Sequence, residues 1–280
     1  MNHLIERRDQ HTSERPIIIG AGIGGLTAAL RLAIHGFKPI VLERAPEVGG
    51  KAHAIRLDAT PDEADQSPVF VDGGPTVMTM LHVFESLFAD AGHSLHDHIQ
   101  VESAEVLARH FWRDGSRFDL PADFDAAVES IRGFAGDAEA DGFTRYHAYA
   151  SRIYESVQDI FIFSPKPSPL DMMKLGPTMI PRIIRADLRR TMWSALNTYF
   201  RDERLRQLFG RYATYTGNSP FMTPATFNLV AAVEQRGVWR VKGGIKALAL
   251  AIRALVIELG GEVLTGAEVA EVSTHKGQVE

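Results

Sequence analysis

One βαβ signature near the start of the chain limits its fold more than any other feature. Pro16-Ile17-Ile18-Ile19 is a short apolar run of the kind that forms a buried parallel strand. Gly20-Ala21-Gly22-Ile23-Gly24-Gly25 follows and satisfies G-x-G-x-x-G with Gly20, Gly22 and Gly25. Leu26, Ala29, Leu30 and Ala33 then recur at helical spacing up to His35. Pro39–Glu43 reads as a second strand ending on an acid, 23 residues after Gly20. Each part has a physical role. Gly20 permits the tight turn, Gly22 lets backbone approach a pyrophosphate, and Gly25 lets helix and strand pack closely. The helix start offers free N–H groups to phosphates, and Glu43 is placed to accept hydrogen bonds from ribose hydroxyls. That acid argues against a 2′-phosphate, and so against NADP. The motif alone does not separate NAD from FAD. The bland alternative, a glycine-rich turn in a non-binding α/β domain, is opposed by strand, glycines, helix, strand and acid occurring in order.

At 280 residues the chain can bury a substantial core in one large domain or two modest ones. It has no cysteine, which excludes disulfides, thiolate catalysis, Cys-ligated metals, iron–sulfur clusters and a Cys-linked flavin, and fits a reducing compartment. The net charge of −5 gives no reason to expect nucleic acid as the main partner. No apolar run is long enough for a transmembrane helix. Residues 1–15 are charged, lack the apolar core of a secretory signal, and read as a disordered tail. Charge is uneven: Phe161–Arg211 carries ten basic and four acidic residues, a net of +6. Within it, Phe161–Trp193 holds five prolines and four methionines among basic residues. Interleaved apolar and cationic residues suit an anionic membrane surface. A Met-rich lining of an apolar tunnel, ordinary core and a partner-protein surface remain open readings of the same stretch.

Beyond Glu43 the chain departs from a simple NAD fold. Gly49-Gly50-Lys51 supplies a second glycine pair, followed by a plausible strand at Ala52–Leu57 and a polar stretch, Thr60–Pro68. Val69-Phe70-Val71 leads into Asp72-Gly73-Gly74-Pro75-Thr76. Read blandly, these are a flexible turn, a solvated lysine and a strand-ending turn. Further on, a helical stripe is expected over Pro75–Ala91. Glu105–Trp112 and Ser116–Leu120 flank Asp114-Gly115 as a hairpin, and Asp123 or Asp125 caps a helix over Ala126–Phe134. A helix is expected over Asp141–Ile162, and another from the Thr223-Pro224 start to Gln235. Ile245, Leu248, Ala249, Ile252, Leu255, Val256 and Leu259 form one helix face, and short strands are expected at Glu262–Leu264 and Glu268–Val272.

The series GAGIGG, VLER, VGGKA and VDGGPTV resembles the FAD-dependent amine oxidase and phytoene desaturase superfamily. DGGPTVMT, LARHFWRDG, DERLRQLFGRYATYTGNSPF and GVWRVKGGIKALA resemble, more closely, the bacterial 1-hydroxycarotenoid 3,4-desaturases, or hydroxyneurosporene and methoxyneurosporene dehydrogenases. The resemblance implies an α/β fold: a Rossmann-like FAD-binding domain (residues 16–107 and 236–280) with an inserted α+β lobe (108–235) that faces substrate and membrane. It implies FAD as cofactor and an acyclic carotenoid as substrate, in a cytoplasmic enzyme held peripherally at the inner or intracytoplasmic membrane. Gly20, Gly22, Gly25, Glu43, Gly49, Gly50 and Lys51 would hold adenosine and diphosphate, with Gly24 and Arg44 also counted as cofactor-binding. Gly74, Pro75 and Thr76 would lie near the ribityl chain and ring, and Val269 would meet adenine through its backbone. Trp239, Gly243 and Gly244 would border flavin and substrate. Family members are longer and end in a glycine-rich, Gly-Asp-containing segment that this sequence lacks, so the C-terminal part of the fold is expected to be missing.

No catalytic acid–base pair is assigned, because a polyene offers few polar handles and the chemistry belongs mostly to the cofactor. His93, His96 and His98 cluster in a polar stretch that reads as a solvated loop, and no metal is expected. Arg109 and His110 are weak catalytic candidates beside the hairpin. The alternatives are another flavin enzyme of the superfamily (phytoene desaturase, carotenoid isomerase or amine oxidase), a non-catalytic remnant or partner-binding module, and an NAD dehydrogenase.

Overall fold

The computed structural model describes residues 15–58, 69–164, 179–275 and 278–279. The expected tail therefore lies outside the described residues except for Arg15. That residue is held in place, donating to the Lys38 carbonyl at 3.0 Å and to Glu262 at 2.8 Å. The whole polar stretch Thr60–Pro68 and positions 165–178 of the Pro- and Met-rich segment also lie outside. The chain divides into two compact units: Met1–Ser103 with Trp239–Glu280, and Ala104–Val238.

The first unit opens with β1 (Ile17–Ile19), α1 (Ile23–Ile34) and β2 (Ile40–Glu43). β1 and β2 pair in parallel. The helix buries Leu26, Ala29, Leu30 and Ala33, the stripe read from the sequence. A hairpin of β3 (Ala54–Leu57) and β4 (Val69–Asp72) follows. The helix expected over Pro75–Ala91 is shorter, because its first residues form β5 (Met78–Thr79) and Met80 adopts the left-handed conformation (φ 54°) before α2 (Leu81–Asp90). One turn at Leu95–His98 (α3) leads into β6 (Val101–Ser103).

The second unit begins with the hairpin β7 (Val106–Phe111) and β8 (Arg117–Pro121). Asp123 caps α4 (Phe124–Ala135) by accepting from the Ala126 N–H at 2.8 Å. Gly136, at φ +94°, reverses the chain into α5 (Asp137–Val157), which therefore starts four residues before the expected Asp141. It ends in a π-helical turn at Gln158–Ile162. α6 (Met179–Arg185), α7 (Met192–Tyr199) and α8 (Glu203–Gly210) pack around it, the last two capped by Thr191 and Asp202. The helix expected from Thr223 opens instead as a 3₁₀ turn at Ala225–Asn228 and becomes α9 (Leu229–Gln235). Tyr146 of α5 is fully buried, its ring 4.9 Å from that of Phe209 and 5.3 Å from that of Phe200, and its hydroxyl donates to Asn228 at 3.0 Å.

β9 (Val238–Val241) returns to the first unit and lies between β5 and β6. α10 (Lys246–Glu258) buries Leu248, Ala249, Ile252, Leu255 and Val256 against α1 and the rest of that core. β10 (Glu262–Thr265) completes a parallel sheet in the order β1-β2-β10. Glu268–Val272 is extended chain rather than the expected strand, with no ladder partner among the described residues. The last described strands are instead β11 (Thr274–His275) and β12 (Gln278–Val279). The joins between the units fall at 103/104 and 238/239 rather than at 107/108 and 235/236, because β6 and β9 pair with each other.

The glycines of α1 differ sharply in what the fold asks of them. A Cβ on Gly25 would sit 2.0 Å from the Gly20 carbonyl oxygen, whereas one on Gly24 would meet nothing within 4 Å. Gly25→Ala is therefore expected to cost about 1–3 kcal/mol through overpacking. Gly24→Ala should gain about 0.5–1 kcal/mol from helix propensity. Urea unfolding of both variants checks the opposite signs.

Candidate functional site

Two loops cross at the C-terminal end of β1 with only backbone between them. Gly22 and Gly49 form a parallel bridge, and the Gly49 N–H donates to the Ala21 carbonyl at 2.9 Å. A Cβ on Gly50 would lie 3.1 Å from the Gly22 Cα, and one on Gly49 would lie 2.6 Å from the Ala52 carbonyl oxygen. The doublet is thus an obligate contact and not a flexible turn. Gly22 itself is different. Its φ of −71° suits any residue, and an added Cβ would make only an ordinary 4.0 Å contact with Gly50. The protein's own packing does not require glycine there, which leaves room for something to approach the backbone.

Gly22 is also the N-cap of α1, without a side-chain cap and with no acid in the first turn. In the same chain α4, α7 and α8 are each capped by Asp or Thr. The N–H groups that begin α1 have no intrahelical partner and present positive potential, an arrangement suited to an anion.

Glu43 closes one side. Its carboxylate accepts from the Ala45 N–H at 2.9 Å and from the Ala21 N–H at 2.7 Å. These two bonds, in that order, hold its pKa below the ordinary value of 4.5. An ionised carboxylate has about four acceptor positions, so each oxygen keeps capacity for a ligand hydroxyl. Arg44 is exposed beside it. After β10 the Ala267 N–H donates to the Glu43 carbonyl at 2.9 Å, which brings half-buried Val269 to within two residues of this end of β2, as extended chain outside any strand.

The second glycine segment meets the loop after β2. A Cβ on Gly74 would stand 2.0 Å from the Lys51 carbonyl oxygen, and the Gly73 N–H donates to His53 at 2.8 Å. Lys51, Pro75 and Thr76 are exposed. Thr76, Gly243 and Gly244 line one cavity of about 490 Å³ with Asp72, Val71 and Leu250. Asp72 had no role assigned from the sequence. Its carboxylate accepts the Ile245 N–H at 2.9 Å, and a Cβ on Gly244 would strike it at 2.6 Å. It caps α10 from 173 residues away in the chain. The available signal was negative: no Ser, Thr, Asp or Asn precedes Ile245 to cap that helix. Trp239 does not line this cavity; it is half-buried and packs on the core of the first unit.

The weaker candidates resolve differently. Arg109 is bound to Asp119 across the hairpin by two bonds of 2.7 and 2.8 Å. The His110 Nδ1 is buried without a hydrogen-bond partner among the described residues, and burial with the nearby Arg211 charge lowers its pKa. His93 and His96 pair with Glu258 and Glu85, and His98 lies 3.3 Å from His93.

The family profile of flavin containing amine oxidoreductases matches residues 23–280. The chain belongs to that family. Hydroxyneurosporene desaturase of Rubrivivax gelatinosus is 38% identical over 268 residues, which is 95% of this chain and 49% of that one. 4,4'-Diapolycopene oxygenase of a Methylomonas species is 30% identical over 96% of this chain and 52% of that one. The chain thus spans about half the length of the curated relatives it matches. The crystal structure of an oxidoreductase from Methanosarcina mazei, 16% identical, shares the fold with a TM-score of 0.56 over 95% of this chain and 54% of that one.

Because the folded-state pKa of Glu43 is depressed, its stabilising contribution is full above about 4.5 and is lost as pH falls through the folded value. Glu43→Gln is expected to remove that component, so the variant's stability should change less with pH below 4.5 than the parent's. Urea midpoints measured across that range check the sign.

Proposed function

We propose that the protein is an FAD-dependent desaturase that introduces a C3–C4 double bond into an acyclic 1-hydroxy or 1-methoxy carotenoid. The observation that carries the substrate assignment is the step in identity, from 38% with a hydroxyneurosporene desaturase to 30% with a diapolycopene oxygenase over almost the same span. The uncapped start of α1 and the unneeded bareness of Gly22 support the cofactor assignment.

In this reading the loop Gly20, Gly22, Gly24 and Gly25 and the first N–H groups of α1 hold the diphosphate. Gly49 and Gly50 close over it, and Lys51 and Arg44 offset its charge. Glu43 accepts from ribose hydroxyls, and the backbone of Val269 faces adenine. Gly74, Pro75 and Thr76 border the ribityl chain and ring, while Trp239, Gly243 and Gly244 border ring and substrate. Bound FAD supplies the two-electron oxidation that removes hydrogen from adjacent carbons. The protein's part is to bind, orient and exclude water.

Membrane attachment belongs to the same proposal. Among the described residues no helix is long and apolar enough to cross a membrane. The +6 segment presents Phe161, Ile162, Phe163, Ile184 and Leu188 exposed, which suits peripheral contact with an anionic surface on the cytoplasmic side.

Expression in cells that accumulate a 1-hydroxycarotenoid should yield a red-shifted pigment two hydrogens lighter. An unchanged pigment alongside folded, flavin-loaded protein overturns the substrate assignment. Gly22→Ala should cost no more than about 1 kcal/mol of unfolding free energy, the loss of a glycine N-cap. It should weaken flavin retention by about tenfold or more as backbone bonds to phosphate are lost. Flavin absorbance after gel filtration reads the second effect, and undiminished absorbance would show that the diphosphate lies elsewhere.

A further inference from the structure

The second unit contains two concavities that share one stretch of chain. The first, about 340 Å³, is lined by Tyr149 and Arg152 of α5, Ile184 and Arg185 of α6, and Asp187 and Arg190 just beyond. The second, about 540 Å³, is walled mainly by apolar groups, among them Val157, Ile160, Phe161, Phe227 and Val230. α6 and the turn after it serve both, since Arg182, Ala186 and Leu188 line the second. Both volumes fall in the range of ligand sites.

Among the described residues Asp187 is the carboxylate of the first pocket, and its Oδ2 is engaged from within. Asp187, in the left-handed region at φ 51°, accepts from Arg190 Nε at 2.9 Å and Nη2 at 2.5 Å, and from the Tyr149 hydroxyl at 2.6 Å. Arg190 completes its bonding with Thr198 at 3.1 Å. Burial opposes ionisation of Asp187, but the bonds from Arg190 and Tyr149 outweigh it and keep its pKa below 3.8. Arg152 and Arg185 remain. Both are exposed, and among the described residues neither guanidinium has an ion pair or hydrogen bond. Among the described residues the pocket therefore carries two positive charges that no carboxylate pairs, on planar donor forks, the geometry that matches phosphate oxygens two at a time. Leu188 and Phe161, which line the apolar cavity, are themselves exposed.

We propose that these cavities seat one phospholipid molecule, with its headgroup phosphate on Arg152 and Arg185 and an acyl chain in the apolar cavity. The site deepens the membrane contact proposed above and rests on it, whereas the desaturase chemistry is read separately by the pigment. The adjoining apolar cavity favours a lipid over a soluble phosphate ester.

Sedimentation with vesicles of phosphatidylglycerol in phosphatidylcholine tests the site. Arg152→Gln and Arg185→Gln are each expected to lower partitioning about tenfold, because each removes a two-point contact to phosphate as well as a charge. Arg113→Gln, which removes the same charge from the exposed hairpin turn, should lower it by about twofold or less. Replacing both Arg152 and Arg185 by Lys keeps the charge but removes the forks, and should still weaken binding several-fold. Leu188→Asp should weaken vesicle binding as well. Equal losses for Arg113→Gln, or full binding by the double Lys variant, would show diffuse charge attraction and overturn the headgroup site. Undiminished binding by Leu188→Asp would overturn the chain seat. Binding of glycerol 3-phosphate to the parent protein by calorimetry, lost in the double Lys variant while vesicle partitioning stays unchanged, would assign the pocket to a soluble phosphate and overturn the lipid.

Discussion

Two stretches of backbone touching without side chains between them organise the first unit. The Gly22–Gly49 bridge places Gly50 on Gly22, and buried Val48 and Ala52 flank the doublet within the core. Ala249 of α10 lies 3.8 Å from where a Cβ on Gly49 would be, so the third layer of the unit also bears on this crossing. A contact made of main chain has no rotamers to freeze. Its donors are fixed by the surrounding sheet and helix before any ligand arrives, which lowers the ordering cost of binding. Glu43 extends the same arrangement by bonding Ala21 on one loop and Ala45 on the next.

How much of this could be read in advance depended on whether a feature is local. β1, α1, β2 and α10 announce themselves by apolar spacing over a few residues, and the structure forms them within two or three residues of the expected limits. Features set by distant partners were not legible. Val77 and Phe84 fit a helical stripe, yet Met78–Thr79 is claimed by the sheet with β9. Glu268–Val272 has strand-like residues but no ladder partner among the described residues. Asp72 looked like a turn residue, because nothing nearby reveals that its carboxylate caps a helix far along the chain. At the candidate site, the glycine motifs were legible as a set. The distinction between glycines the fold demands, such as Gly25 and Gly74, and one it does not, Gly22, needed coordinates.

The second unit is held by a different kind of interior. Rings of Phe143, Phe200 and Phe209 stack at 5.0 to 5.6 Å beside buried Tyr146. Arg211, Tyr212 and Tyr215 all bond Glu234, which is 8% exposed. These three belong to the block LFGRYATYTGNSPF, one of the segments that resemble the 3,4-desaturases. A buried carboxylate with one cation and two hydroxyls satisfies most of its acceptor capacity, and loss of any one partner would leave charge uncompensated. The block thus encodes a polar knot inside an aromatic interior, and a short apolar motif could not substitute for it.

The parallel sheet has a consequence for how the chain is made. Its strand order is β1-β2-β10, so the neighbour of Val41 on one side is Val263, about 220 residues downstream. Ribosomes add on the order of 5–20 residues per second, so β2 waits roughly 10–40 s for that partner. Ala104–Val238 is continuous and has emerged in full before then. During synthesis the inserted lobe is therefore the first body able to complete itself, while the glycine loops ahead of it remain unfinished and exposed to whatever chaperones attend the nascent chain.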